Sequence, residues 1–437
     1  MPIFIVFAGV LLLLLLISAG KLDAFIAFIL VALFVGTAEG LPALQVVSAI
    51  QKGIGDTLGS LVMILGFGAM LGKLIAESGA AQQVTQKMVA AFGLKYVHWA
   101  LMITGLIVGI PMFYTVGFVI MVPLVFTVAA ATGLPLLYVG LPMLASLSVT
   151  HGFLPPHPSP TAIAGMFKAD MGLTLLYGLL LSVVAAVVVV PVFSKWSGKF
   201  KASPKETFQV TLLPEDGLPS LSVSLCTALL PAVLMGASAL VRLFTPEQSM
   251  AAKIAGIAGD PALSMLISVL VAIWLLGIRR GKPMKEVTES LSKAIAGIAT
   301  LLLAIAGAGA LKQVLVESGV GTYIGDAMKN SGISPLVMAW LVAAMIRVSV
   351  GSATVAGMTA AGIVLPVVSQ GGVSPELMVL SVGAGSIFFS HVNDGGFWLF
   401  KEYFNLSVKD TIATWSLMET TVSLVGLGGV LILQMFL

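Results

Sequence analysis

From Ile3 to Ile17, from Val183 to Val192 and from Leu301 to Ala310 the chain carries no charged residue. Such segments recur along its whole length, and this constrains the fold more than any other feature. Crossing about 30 Å of hydrocarbon takes roughly 20 mostly apolar residues in a helix. Only helices and closed barrels satisfy every backbone amide and carbonyl there. Around a dozen segments have helical length and apolarity of this kind, so the expected fold is an all-α polytopic membrane protein. Composition agrees: the 437 residues are 58% hydrophobic and 9% charged, against about 25% charged in a soluble domain. The first apolar run has no basic region before it, so it is expected to be a span and not a cleaved leader. A net charge of +3 points to no nucleic-acid partner. The single cysteine, Cys226, excludes an intramolecular disulfide and a multi-cysteine metal centre.

One polar stretch divides the chain. Residues 195–220 hold lysines, acids and prolines and read as a cytoplasmic linker between residues 1–194 and 221–437. The two parts resemble each other at an offset of about 240 residues. Ala76-Glu77-Ser78-Gly79-Ala80 matches Val316-Glu317-Ser318-Gly319-Val320, Pro135 matches Pro375, and His151 matches His391. Each part reads as three spans, a pair of short helices, a broken span and a last span. The pairs, about 98–131 and 335–369, have arms of roughly 15 residues, short for a full crossing, and are expected to be re-entrant hairpins. The broken spans are about 135–168 and 375–404. With about ten spans and two hairpins, each part crosses an odd number of times, so the repeats are expected to be inverted. The most basic loops carry Lys195, Lys199, Lys201 and Lys205, then Arg279, Arg280, Lys282, Lys285 and Lys293. They fall on one face in this topology. The positive-inside rule makes that face cytoplasmic and both termini periplasmic, in a bacterial inner membrane.

Polar groups inside a membrane are costly and mark function. The first broken span contains Thr150, His151, His157 and Ser159 among four prolines, and the second reads Ser390-His391-Val392-Asn393-Asp394-Gly395-Gly396. Proline ends helices by removing a donor and clashing with the preceding turn. Two unwound segments at corresponding positions point to a solute site near the midplane, with helix N-termini turned toward any bound carboxylate. The hairpin tips, carrying Tyr114 and Thr115 in one and Ser352 and Thr354 in the other, are the next candidates for hydrogen bonds to a polyol. Arg347, near the second tip, offers a planar fork for a carboxylate or an ion pair with Asp394. Asp394 and Glu419 are the acids placed to carry a proton, and the histidines are alternative carriers. The histidines lack metal-ligand spacing, so no metal site is expected. With no phosphate-binding glycine loop, GxSxG or HExxH motif, the chain is expected to be neither an ATP-driven pump nor an enzyme, and to need no cofactor.

The stretches THGFLPPHPSPTAI (Thr150 to Ile163), SHVNDGGFWLFKEYFNL (Ser390 to Leu406), LGFGAMLGKLIAESGA (Leu65 to Ala80), GSATVAG (Gly351 to Gly357) and GVSPELMVLSVG (Gly372 to Gly383) resemble signatures of the gluconate permease family of proton symporters. More distantly the chain is similar to the ion-transporter superfamily of citrate and dicarboxylate carriers. The resemblance implies proton-coupled uptake of gluconate or a related sugar acid by a homodimer whose hairpin-bearing part moves like an elevator. Thr150, His151, His157, Ser352, Thr354, His391, Asn393 and Asp394 fall on its motif positions. One departure stands out: many members read FYEVGF at the first tip, whereas this chain has Thr115 in place of the acid. Either the coupling acid is elsewhere, at Asp394 or Glu419, or the solute or coupling differs. The alternatives are a carrier of D-serine, another small hydroxy acid or a dicarboxylate, or a sodium-coupled carrier. A membrane sensor without transport is the rival of a different class.

Overall fold

The computed structural model describes residues 2–204, 212–246, 248–320, 323 and 332–437. Lys205 of the linker lies outside the described residues. Within them the chain is helical and has no strand. Eight helices are long and apolar enough to cross a membrane, or nine if one bent pair counts as a span.

The first part contains α1 (Pro2–Leu14, extended by a π-turn to Ala19), α2 (Ala24–Ala38), α3 (Ala43–Glu77) and α4 (Ala80–Phe92). There follow α5 (Val97–Gly109), α6 (Tyr114–Thr132), α7 (Leu136–Phe153), α8 (Pro158–Phe167) and α9 (Met171–Ser197). The second part contains α10 (Leu221–Phe244), α11 (Met250–Ala258), α12 (Pro261–Arg280), α13 (Met284–Gly297) and α14 (Ala299–Glu317). It continues with α15 (Pro335–Val350), α16 (Ala353–Ser369), α17 (Pro375–Ser386), α18 (Gly395–Tyr403) and α19 (Val408–Gln434).

Local chemistry sets most of these boundaries. Asp170, Ser220, Asp260, Ser374 and Ser407 each accept a bond from an amide in the first turn of the helix that follows. Pro261 and Pro375 occupy the first helical position, where a missing donor costs nothing. Gly133 and Gly351 close α6 and α15 in the left-handed conformation that a side chain resists.

Two readings from the pattern change. The span read as 57–76 is in fact a helix of 35 residues, roughly 52 Å long. Its polar N-terminal portion packs on α14 through Gly53, and Lys52 and Asp56 pair one turn apart, at 2.5 Å, on its exposed face, which adds a little helix stability. The first break is also shorter than the proline-rich sequence suggests. Thr150 and His151 lie in the last turn of α7, and Pro158 and Pro160 belong to the first turn of α8. Proline is tolerated there because the amide it removes has no partner within the helix. Only Leu154 to His157 are unwound.

The helices sort into two groups by contact. Hairpin α5–α6 packs with α7, α7 with α9, hairpin α15–α16 with α8 and α17, and α17 with α19. Separately, α14 packs along α2 and α3, with α12 and α13 also against α3. Gly53 and Gly309 let α3 and α14 cross so closely that a methyl group on either would meet the other's backbone carbonyl. The groups touch through α4 and α5, α14 and α16, and α9 and α10.

Candidate functional site

The second arm of each hairpin and the second half of each broken span begin at one place. Those four helix starts, α6 at Tyr114, α16 at Ala353, α8 at Pro158 and α18 at Gly395, border a cavity of about 930 Å³. Its wall includes Tyr114, Thr115, Ser148, His151, Arg347, Ser352, Thr354, Asn393, Asp394, Trp415 and Glu419. Gly297, Ile298 and Leu301, from the other helix group, close the remaining side. A helix start presents amides without intrahelical partners and the positive end of the helix dipole. The start of α6 has no side-chain cap, whereas Ser352 caps α16 and Asp394 caps α18.

Each break holds its hairpin by an orphan carbonyl. The last carbonyls of a helix lack intrahelical donors. His157 Nε2 donates to the Gly109 carbonyl, 2.7 Å away, at the end of α5. At the end of α15 the Val348 carbonyl accepts from His391 Nε2 at 2.8 Å and from Asn393 Nδ2 at 2.7 Å. A carbonyl can only accept, so both imidazoles carry their proton on Nε2 when neutral. His151 matches His391 by position, yet the structure gives His391's task to His157. The imidazole of His151 instead faces the cavity, with ring centroids 5.7 Å from Tyr114 and 5.5 Å from His157.

The second tip is also held by charge. Arg347, only 4% exposed, pairs with Asp394 and donates to the Gly351 carbonyl. Asp394 further accepts from Ser390 and from the Gly396 amide. Ser390 in turn accepts from the Trp415 indole at 2.9 Å, and Trp415 stacks on Phe400. Gly351 is left-handed at φ +80°, and a side chain there would strike the Asn393 carbonyl. The tip and the break are therefore locked together. Glu419, 2% exposed, has no ion-pair partner among the described residues, and its Oε1 is unbonded; Ser148 lies within hydrogen-bonding reach of the carboxyl. The Tyr114 hydroxyl, His151 Nδ1 and Arg347 Nε are likewise buried with no protein partner. Such groups suit a polar guest, because an unpaired buried donor or acceptor is costly.

Of the residues singled out in the sequence, Tyr114, Thr115, His151, Arg347, Ser352, Thr354, Asn393, Asp394 and Glu419 border the cavity. Thr150, His157, Ser159 and His391 stand behind it. Thr150 donates to the Leu147 carbonyl at 2.8 Å, and the Ser159 hydroxyl lies buried beside Gly357. Sequence reasoning passed over Ser148, Trp415 and the Gly297–Ile298 joint. Only the glycine carried a signal, standing 240 residues after Thr57 in the sequence match between the two parts of the chain. Among the described residues no group of three His, Cys, Asp or Glu is placed to hold a metal.

Helices long and apolar enough to cross a membrane, with a cavity bordered by polar side chains between two helix groups, fit a multi-pass membrane transporter. The fold is similar to that of the YdaH transporter of Alcanivorax borkumensis, with a TM-score of 0.69 and 16% identity over 94% of this chain and 98% of that one. The chain belongs to the GntP family of permeases, whose model matches residues 1–436. It is 50% identical to the high-affinity gluconate transporter of Escherichia coli K12 over the full length of both chains. It is also 50% identical to the Gnt-II system L-idonate transporter of the same organism, over 99% of this chain and 98% of that one. The protein is thus a permease and not an enzyme.

Proposed function

We propose that the protein imports gluconate or a closely related sugar acid together with a proton. The observation that carries this reading is the cavity itself. An uncapped helix start and the Thr115 and Thr354 hydroxyls suit a carboxylate. Unbonded polar atoms on Tyr114, His151 and Arg347, with Ser148, Ser352 and Asn393, suit a chain of hydroxyls. His157 and His391 would position the tips, with Thr150 and Ser159 packed behind them. Glu419 can take up a proton without breaking an ion pair, whereas Asp394 would first have to part from Arg347. Glu419 is therefore the proposed coupling acid, and its presence makes up for the uncharged Thr115.

Cargo enclosed mostly by one helix group fits an elevator, in which the hairpin group slides against the group built on α3 and α14. A homodimer joined through the latter group, with inverted repeats, a cytoplasmic linker and periplasmic termini, completes the proposal. The equal similarity to an L-idonate carrier makes idonate the second reading for the cargo.

Uptake of labelled gluconate into proteoliposomes tests both, with and without an inward proton gradient and in the absence of sodium. Accumulation that collapses with a protonophore and is competed by gluconate supports the proposal. Uptake of labelled idonate with none of labelled gluconate moves the cargo to the second reading. Uptake driven only by sodium overturns proton coupling, and D-serine or dicarboxylates in the competition panel expose a different solute.

A further inference from the structure

A second cavity, of about 230 Å³, adjoins the central one, and the two share Phe113, Val116, Gly297 and Ile298 as walls. It runs along the seam between the helix groups, past Gly68 and Gly72 of α3, to Lys73 and Lys293. On one side the ring of Phe113 lies against Gly68, close enough that a methyl group there would sit 3.4 Å from it. On the other side, a side chain at Gly297 would meet nothing within 4 Å and would project into open space. Here the second repeat departs from the first. Where α3 runs unbroken, α13 stops at Gly297 and α14 restarts after Ile298, whose φ and ψ of −108° and 4° are not helical. The joint stands in the wall that the two cavities share.

The two lysines at the mouth are not equivalent. Lys73 is bound to Glu77 at 3.0 Å, and Glu77 also accepts from Ser290 at 2.6 Å. Lys293 has no ion-pair partner among the described residues. It lies one turn before Gly297 and so projects from the same face of α13. We propose that the seam past Gly297 is the passage between the central site and the face carrying the basic loops, and that Lys293 guides the anionic cargo through it. This rests on the anionic-cargo reading above. A cation at the mouth of a passage raises the local concentration of anions and lowers that of cations.

Substituted-cysteine labelling tests the passage without relying on the cargo. In a Cys226→Ser background, a thiol is placed by Gly297→Cys, and separately by Ile298→Cys in case one variant folds poorly. Anionic and cationic methanethiosulfonates of similar size are added to either side of oriented vesicles. Both thiols are expected to react from the basic-loop face, with the anionic reagent favoured. Lys293→Gln should lower the anionic-to-cationic rate ratio about fivefold. Lys293→Arg should preserve it, and high salt should erase the difference. Thiols that are unreactive from that face, or a ratio indifferent to Lys293→Gln, overturn the proposal. A shifted ratio in a protein that takes up no sugar acid leaves the passage standing and rejects the cargo.

Discussion

In the first hairpin unit one neutral contact, His157 to the Gly109 carbonyl at 2.7 Å, ties break to tip, and the start of α6 is left uncapped. In the second unit the corresponding carbonyl, Val348, has two donors, Arg347 and Asp394 add an ion pair, and both helix starts carry side-chain caps. One plan has thus been finished in two ways. The second unit satisfies more of its own polar groups, Arg347 Nε excepted, and is the firmer wall. The first leaves amides and an imidazole nitrogen unspent, and those are what a bound solute can use. Rigid and receptive halves facing each other give a site that is preorganised yet still has hydrogen bonds to offer.

The sharpest way to break this comparison is to remove the charge from the second unit. Asp394→Asn strands Arg347 in a buried setting, and loss of one partner of a buried pair costs about 3–5 kcal/mol. Accumulation should be abolished and the thermal unfolding midpoint in detergent should fall. Wild-type stability and uptake in this variant would show that the ion pair does not hold the second tip.

Glu419→Gln should act differently, because no ion pair depends on Glu419. Gradient-driven accumulation is expected to vanish while exchange of labelled for unlabelled solute across the same vesicles continues. Proton-driven accumulation that survives the change would remove Glu419 as the coupling acid.

A smaller effect separates the two histidines. His157→Ala leaves the Gly109 carbonyl with only the longer bond from the Met112 amide, at 3.3 Å, a loss of about 1–2 kcal/mol, or roughly tenfold in apparent affinity. His391→Ala leaves Asn393 still donating to Val348, so it should weaken binding by less. Equal losses in a binding titration would mean that Asn393 does not substitute for the imidazole. The smallest changes are expected at the tips. Thr115→Ala and Thr354→Ala each remove one hydroxyl at the mouth, worth about 1 kcal/mol or roughly fivefold in the Michaelis constant. A loss confined to Thr354 would shift the carboxylate toward the second tip.

A parallel contrast runs through the other helix group. At the offset of the repeat, Gly53 and Thr57 of α3 correspond to Lys293 and Gly297 of α13. The first pair packs tightly, with Thr57 buried against Gly309. The second pair borders the seam cavity. Positions matched by the sequence offset are spent on a close crossing in one part of the chain and on a cavity wall in the other.

Much of this molecule was legible in the chain. Membrane helices, the hairpin turns at 110–113 and 351–352 and the two breaks follow from apolar runs, prolines, glycines and capping residues. All of these act within one turn of the backbone, so the sequence by itself determined them. The motif residues likewise marked the neighbourhood of the site. Which of them border the cavity depends on how each helix is rotated, and packing with partners distant in the chain settles that. His157 therefore turned out to serve Gly109, 48 residues away, and Arg347 to serve Asp394, 47 residues away. Gly297 entered the wall of the site from the opposite helix group, and only the tertiary structure could decide it, because no local rule links a helix joint to a cavity formed by other helices.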